Sequence, residues 1–328
     1  MRKKRITTQD IATRAGVSKA TVSYVLNGTG SVSAEMKEKI QQLAKEMGYQ
    51  ENRLAKATRT GKTYTVGLVL PDLCNPFFPE MAQAVVDTAS KKGYSVFLVD
   101  ARNSAEEERI GIGRLLEYAI EGLIWCPLHD NSVEDQNLTC PVVTTERPIV
   151  GFDNVYADSE LGGRLQAQLA IEKGHKRIGI LSGPDRSTAA RLRKKGLLGT
   201  LGNDIEIAWE VSTEYGINIP KDCADTILNN PVSCVIAAND TLAIGLLRLY
   251  HENGVAVPND VSVIGFDAID WSNLVTPALT TINLPIRKIG EAAFDTLLWR
   301  IENPDEPVKD VKLPVEILER DSLIQFKH

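Results

Sequence analysis

Between Ile6 and Gly28 the sequence admits little besides two short helices joined by a tight turn. Thr7 or Thr8 can cap the first helix, because a hydroxyl accepts from the open N–H groups of a first turn. Ile11, Ala12 and Ala15 recur behind it at helical spacing. Gly16 stands where the chain must turn left-handed to leave that helix. Val17 can plug the angle between the helices, and Ser18 is placed to cap the second. There Ala20, Val22, Val25 and Leu26 are packing candidates, while Lys19, Thr21, Ser23 and Tyr24 turn polar groups outward. Asn27-Gly28 ends the unit. This is the pattern of a helix-turn-helix, whose second helix is shaped to lie in a DNA major groove.

An ordinary helical hairpin shares that apolar spacing, so the surrounding charge has to decide. Arg2, Lys3, Lys4 and Arg5 precede the unit as a basic arm suited to phosphates. The whole chain carries −6, but residues 1–62 hold 13 of the 37 Lys/Arg and 5 of the 43 Asp/Glu. That segment is therefore +8 and the remainder −14. A basic module on an acidic body is the footprint of a DNA reader whose other part stays off the phosphates.

A third helix is expected over about Ala34–Met47, capped by Ser33 and striped by Met36, Ile40, Leu43, Ala44 and Met47. It completes an all-α headpiece over residues 1–49. Residues 50–63 read as a polar, basic linker. From Tyr64 the texture changes to alternating strands and helices, and 328 residues exceed one comfortable core. Strands are expected at 66–70, 94–99, 122–125 and 141–144, with helices over about 79–92 and 105–117. A second set has helices over about 161–173, 191–201 and 240–253 and strands at 177–181, 234–237 and 262–265. Two consecutive sets of this kind imply an α/β core of two parallel-sheet lobes. Such sheets bind ligands outside the carboxyl ends of their strands.

Chemistry gathers at those ends. Asp72, Asn75, Phe77 and Phe78 follow the first strand, and Asp100 the second. Asp158 opens the second set, and Arg191 and Arg193 open a helix. Asn239 and Asp240 follow Val235-Ile-Ala-Ala238, and Asp267 follows Val263-Ile-Gly-Phe266 with Trp271 close behind. Carboxylates, amides and a guanidinium match sugar hydroxyls in donor and acceptor pattern, and an aromatic face packs on the ring. Asp240 reads as a helix cap alone, one of the two phenylalanines as core, and Trp125 and Trp299 as packing.

Ala15-Gly-Val-Ser18, Ala20-Thr-Val-Ser23 and Val25-Leu-Asn-Gly28 resemble the headpiece of the lactose-repressor family of bacterial transcription regulators. The resemblance runs on through Gly48-Tyr49, Asn52, Leu54-Ala55 and Arg59-Thr-Gly-Lys-Thr63. It continues through Asn75-Pro-Phe-Phe78, Gly174-His175-Lys-Arg-Ile178, Ala238-Asn-Asp-Thr-Leu-Ala243, Val257 to Asp267, Pro277 to Ile282 and Arg320-Asp-Ser322. It implies a periplasmic-binding-protein-like core: a first lobe of 64–158 plus about 285–314, and a second of 159–284 plus about 315–328. It implies a homodimer on a near-palindromic double-stranded operator. DNA contacts would come from Thr8, Ser18, Lys19, Ala20, Thr21, Ser23, Tyr24, Asn27, Asn52, Leu54, Ala55 and Thr58. It also implies that Phe78, Asp158, Arg193, Asn239 and Asp267 line an effector pocket, which Asn75, Phe77, Asp100 and Trp271 join by their strand-end positions. His175 reads as structural.

The sequence departs from the family pattern in places. In the family, a leucine on a hinge helix wedges into the minor groove. By register that position is Thr58, and the proline usual near the hinge start is Glu51. Either bending is weaker or Leu54 substitutes. Tyr24 stands where arginine is common, the usual second-half Asp-Asn is Asp158-Ser159, and 214–230 carries Pro220 and Asp222 where a regular helix is expected.

Other classes fit worse. Gly111-Ile-Gly113 lacks the third glycine of a dinucleotide fingerprint and lies in a helix. The lysine-bearing phosphate loop, Gly-x-Ser-x-Gly and metal-spaced histidines are missing, so neither an enzyme nor a cofactor is indicated. Five scattered cysteines form no Cys-x-x-Cys pair. A transport receptor would need an export signal and has no use for a helix-turn-helix. The expectation is a cytoplasmic, ligand-responsive repressor of carbohydrate genes, without a membrane partner or a tetramerising coiled coil. In one branch of the family the main effector is a phosphorylated carrier protein, and the sequence leaves that partner open alongside a sugar, sugar acid, nucleoside or sugar phosphate.

Overall fold

The computed structural model describes residues 6–27, 30–49, 61–132 and 136–326. The chain forms two compact units, Met1–Thr63 and Tyr64–His328.

In the first unit, α1 (Thr8–Ala15) opens on a reciprocal cap. Asp10 N donates to Thr7 Oγ1 at 3.3 Å, and Thr7 N donates to the Asp10 carboxylate at 2.8 Å. Gly16 takes φ 74° at its end, the left-handed turn that a side chain would resist. Helix α2 (Lys19–Asn27) starts with Thr21 N on Ser18 Oγ at 3.0 Å, and α3 (Ala34–Glu46) is capped by Ser33. Ile11, Val22 and Ile40 are sealed at the centre with Ala12, Ala15, Val25 and Ala44 around them. Lys39 Nζ donates to Ala15 O at 3.3 Å, holding α3 to the end of α1. Ala20, expected to pack, is exposed. It lies two residues from Val22, which places it on the opposite side of the helix.

The second unit contains two six-stranded sheets. The first comprises β1 (Thr65–Leu70), β2 (Ser95–Asp100), β3 (Gly122–Trp125), β4 (Val142–Thr145), β5 (Asp153–Ala157) and β11 (Asp310–Leu313). Its order is β11-β5-β4-β3-β1-β2, all parallel. Helices α4 (Phe77–Lys91), α5 (Ala105–Glu117) and α11 (Ile286–Glu302) belong to it.

The second sheet comprises β6 (Arg177–Ser182), β7 (Glu206–Ser212), β8 (Cys234–Ala237), β9 (Ser262–Asp267), β10 (Thr280–Asn283) and β12 (Glu316–Leu318). Its order is β12-β10-β9-β8-β6-β7, parallel except for β12. Helices α6 (Ser159–Glu172), α7 (Thr188–Thr200), α8 (Lys221–Asn229), α9 (Asp240–Glu252) and the short α10 (Trp271–Leu274) go with it. The two sheets form an α/β core in which the chain crosses from one to the other beside residues 158, 284 and 314.

The sequence reading missed β7, whose alternating burial marks a sheet edge interrupted by Glu206 and Glu210. Strands β5, β10, β11 and β12 and helix α11 likewise fall outside the expected set. Pro220 and Asp222 turn out to start a helix rather than break one. Proline tolerates a first turn because it needs no N–H there, and a carboxylate is favoured at that end. Asp240 is not the cap of α9. Asn239 is, accepting from Leu242 N at 3.0 Å, while the buried Asp240 carboxylate accepts from Ile269 N at 3.0 Å and Thr281 Oγ1 at 2.6 Å. Trp125 is packed as expected, its indole N–H donating to Glu108.

Candidate functional site

Each sheet reverses its strand order beside its first strand, with β2 and β3 flanking β1, and β7 and β8 flanking β6. Loops leaving the strands on either side of such a point diverge and leave a crevice. Here the loops after β1, β2, β3 and β4 and those after β6, β7, β8 and β9 line one cavity of about 300 Å³.

Arg193 is its centre. Helices α6 and α7 meet backbone to backbone because of Gly163 and Gly196. A Cβ at Gly163 would lie 1.9 Å from Arg193 O, and one at Gly196 2.0 Å from Glu160 O. This close approach sets the guanidinium over the Phe266 ring, 3.9 Å from its centroid. Arg193 Nη1 donates to Ala238 O at 2.7 Å, and Nη2 lies 3.2 Å from Asp267 Oδ1. That second contact is an ion pair without hydrogen-bond alignment, so Asp267 Oδ1 and Arg193 Nε are both left without a hydrogen-bond partner. Gln166 Nε2 ties α6 to Ala237 O and Gly265 O at 3.0 and 2.8 Å, fixing the ends of β8 and β9 beneath the pair. Asp267 takes φ 107° and Ala268 φ 58°, backbone strain of the kind stored at sites.

Glu146, also left-handed at φ 58°, belongs to the first sheet's side and lines the same cavity. The residue keeps some surface open, but its Oε1 is shut off from solvent and unpartnered. Burial pushes its carboxyl up to about 7, with Arg193 opposing and Asp267 adding to the rise. Burial likewise lifts Asp267 to about 6 against the pull of Arg193 and Asn239. Apolar walls come from Phe77 and Phe78, edge to face at 5.2 Å, and from Tyr215, whose ring rests on Gly183. The other two lining guanidiniums are already answered by the protein: Arg186 by both oxygens of Glu214, and Arg147 by Leu128 O.

Of the expected pocket residues, Asn75, Phe77, Phe78, Arg193, Asn239 and Asp267 come together. Phe77 is also core, as expected for one of the pair. Asp100, Asp158 and Trp271 do not line the cavity. Asp100 ends the edge strand β2 and turns back on its own loop, accepting from Arg102 N at 3.0 Å, and Asn103 of that loop reaches the lining instead. Asp158 caps α6, accepting from Leu161 N, and pairs with Lys312 Nζ at 3.1 Å. Trp271 opens α10 about 45 % exposed. The sequence reading missed Glu146, Arg147, Arg186, Glu214 and Tyr215. Glu146-Arg147 directly follows β4, and its position after an apolar strand was the available signal.

In the headpiece Ser18, Lys19, Ala20 and Tyr24 are exposed at or near the start of α2, and Thr21 and Ser23 are half-buried beside them. Thr8 lies in the first turn of α1. The Asn27 side chain and Asn52, Leu54, Ala55 and Thr58 lie outside the described residues.

Residues 7–52 match the lacI family of bacterial regulatory proteins, and residues 167–323 match a periplasmic binding protein-like domain. The ribose operon repressor of Escherichia coli K12 is 32% identical over 327 residues, 96% of this chain and 99% of that one. The transcriptional repressor PurR of Vibrio cholerae is 28% identical over 328 residues, 97% and 98% of the two chains. Among solved structures, the Lac repressor dimer bound to operator and the anti-inducer ONPF superposes with a TM-score of 0.89 at 28% identity, covering 98% of this chain and all of that one. A lacI-family regulator from Enterococcus faecium with bound ribose gives 0.72 at 27% identity, over 80% of this chain and all of that one.

Proposed function

The chain belongs to the lacI family of bacterial regulatory proteins, and from that premise we propose that it is a homodimeric repressor switched by a small, hydroxyl-rich effector. Its headpieces read two half-sites of a near-palindromic operator, through Lys19, Ala20 and Tyr24 on α2 with Thr8, Ser18, Thr21, Ser23 and Asn27 around them. Asn52, Leu54, Ala55 and Thr58 extend the contact into the linker. The protein works in the cytoplasm, where the chromosome is, and has no catalytic step. Effector closure of the cleft changes the spacing of the paired linkers and so the grip on DNA.

The observation that carries the effector reading is the triad of unsatisfied buried atoms in one cavity: Glu146 Oε1, Arg193 Nε and Asp267 Oδ1. Burying polar atoms without partners is costly, so the site is complementary to something absent. Two free acceptors and one free donor suit hydroxyls, which both give and take hydrogen bonds. The lining holds the carboxylates Asp72, Glu146, Glu214 and Asp267 against three guanidiniums that already have protein partners. That favours a neutral sugar over a sugar acid or sugar phosphate. The likeness to ribose operon repressors puts pentoses first.

A thermal-shift screen of the purified protein against sugars, sugar acids, sugar phosphates and nucleosides, led by D-ribose, tests this. A ligand bound only by the folded state raises Tm by mass action. The expected hit is a neutral sugar, and operator binding with and without it then gives the sign of the switch. A screen without any hit removes the small-molecule reading and leaves a protein co-effector.

A further inference from the structure

We propose that Asp130 is a positioning residue that clasps the two lobes together at the rim of this cavity. Asp130 lies in the loop leaving β3 of the first sheet, and its partners lie on α7 of the second. Its Oδ2 accepts from Arg191 Nη2 at 2.6 Å, and its Oδ1 accepts from Thr188 Oγ1. Thr188 and Arg191 are three apart in the first turn of α7, so they share one helix face. Arg191 is set in advance: Nη1 donates to Asp185 O at 2.8 Å and Nη2 to Thr188 Oγ1 at 3.0 Å. The carboxylate also faces the amino end of that helix, where negative charge is favoured.

On its own side, Asp130 Oδ1 lies 3.6 Å from Arg147 Nε, and Arg147 lines the cavity. Two residues beyond Arg191 on the same helix is Arg193, the centre of the cavity. The clasp therefore joins a wall residue of one lobe to the helix that carries the central guanidinium of the other. Burial works against the charge of Asp130, but the bonds from Thr188 and Arg191 outweigh it and hold the carboxyl below its ordinary range. Asp130 itself does not line the cavity, so it acts through α7 and Arg147 rather than by touching an effector.

Charge-assisted bonds of this kind are strong, but Asp130 and Arg191 are each about half exposed, which limits the pair to about a two- to fivefold bias of the open–closed equilibrium. The significance of the clasp rests on reading the cavity as the effector site, but its test needs no effector. Amide hydrogen exchange is measured on the full-length protein and on Asp130→Ala, Arg191→Ala and the double variant. The segments to follow are 75–78 and 214–215, which line the cavity without touching Asp130.

Each single variant is expected to raise exchange there about two- to fivefold, with Tm unchanged and with the double variant no worse than either single. Asp130→Asn, which still accepts from Thr188, falls between. Raising the salt concentration accelerates exchange in the natural protein and not in Asp130→Ala. Exchange that rises only at 128–132 and 187–192, or not at all, or additively in the double variant, overturns the clasp. These results are independent of the ligand screen.

Discussion

Arg193 Nη2 and Asp267 Oδ1 stand 3.2 Å apart, both side chains almost wholly buried, and the pair holds together two elements that arrive from different parts of the chain. The arginine comes from a helix pressed against its neighbour through Gly163 and Gly196, and the aspartate from the strained end of β9. Removing one partner of a buried pair strands the other charge, at a cost of about 3–5 kcal/mol. Arg193→Ala is therefore expected to lower Tm as well as abolish the effector response, while operator affinity below the melting range stays nearly intact. Asp267→Asn in the same protein should recover much of the lost stability, because the aspartate charge that Arg193→Ala strands is gone. Melting curves of the four proteins give the coupling directly. Additive losses, with the double variant worse than either single, would show that the pair itself is not what stabilises the site.

The carboxyls of Glu146 and Asp267 sit at about 7 and about 6, above their ordinary 4.5 and 3.8, chiefly through burial. The folded protein then binds more protons than the unfolded chain between roughly pH 4 and 7, so stability falls as pH rises through that window. The charged forms cost stability above pH 7, and that cost is absent below pH 4. Glu146→Gln should flatten the pH dependence and raise stability at pH 7.5 by about 1–3 kcal/mol. Denaturation at pH 5 and 7.5 measures both. A neutral sugar that donates to these oxygens favours their charged forms, so its affinity should rise between pH 5 and 7.5. Parallel pH profiles for the natural protein and Glu146→Gln would exclude Glu146 as the source.

Tyr24 is about 50 % exposed on α2, with its ring lying over Gly30, where an added Cβ would come within 3.0 Å of it. A phenol cannot make the bidentate contact to guanine that an arginine makes. Tyr24→Arg is expected to restore a guanine preference at one position of each half-site, worth about 1–3 kcal/mol of discrimination. In vitro selection with both proteins reads it, and an identical consensus for the two would place Tyr24 outside base recognition.

The headpiece was legible because each of its signals is local. Thr7, Gly16, Ser18 and Ser33 do in the structure what their spacing implies. The central strands of the core were legible as continuous apolar runs. The edge strands β7 and β11 were not, because they alternate and carry charge, whereas β2, also an edge, was legible by its apolar run. Arg193, Asn239 and Asp267 were legible as polar residues directly after apolar strands or opening a helix. Asp158 and Asp100 carry the same signal but spend it on a helix cap and a turn. Which strand end faces the crevice depends on strand order, a long-range property that spacing along the chain does not encode. Glu146 and Tyr215 needed that order before they could be placed.

Strand β2 ends the first sheet, so among the described residues one side of its backbone has no neighbouring strand. It also leaves Phe97 and Leu98 each 42 % exposed, with Tyr118 packed edge to face on Phe97 at 5.5 Å and Val86 exposed on α4. A bare edge carrying large apolar side chains is an aggregation hazard unless something covers it. A second copy of the chain is the occupant that the proposed homodimer supplies. Leu98→Asp places a charge on that surface, where burial against a partner would cost several kcal/mol, while a monomer keeps it in water. Sedimentation should show the natural protein as a dimer and Leu98→Asp as a monomer with an unchanged circular dichroism spectrum. Operator affinity should fall with it, since a monomer grips one half-site and loses the gain from linking two. A Leu98→Asp protein that remains dimeric would move the interface to another face.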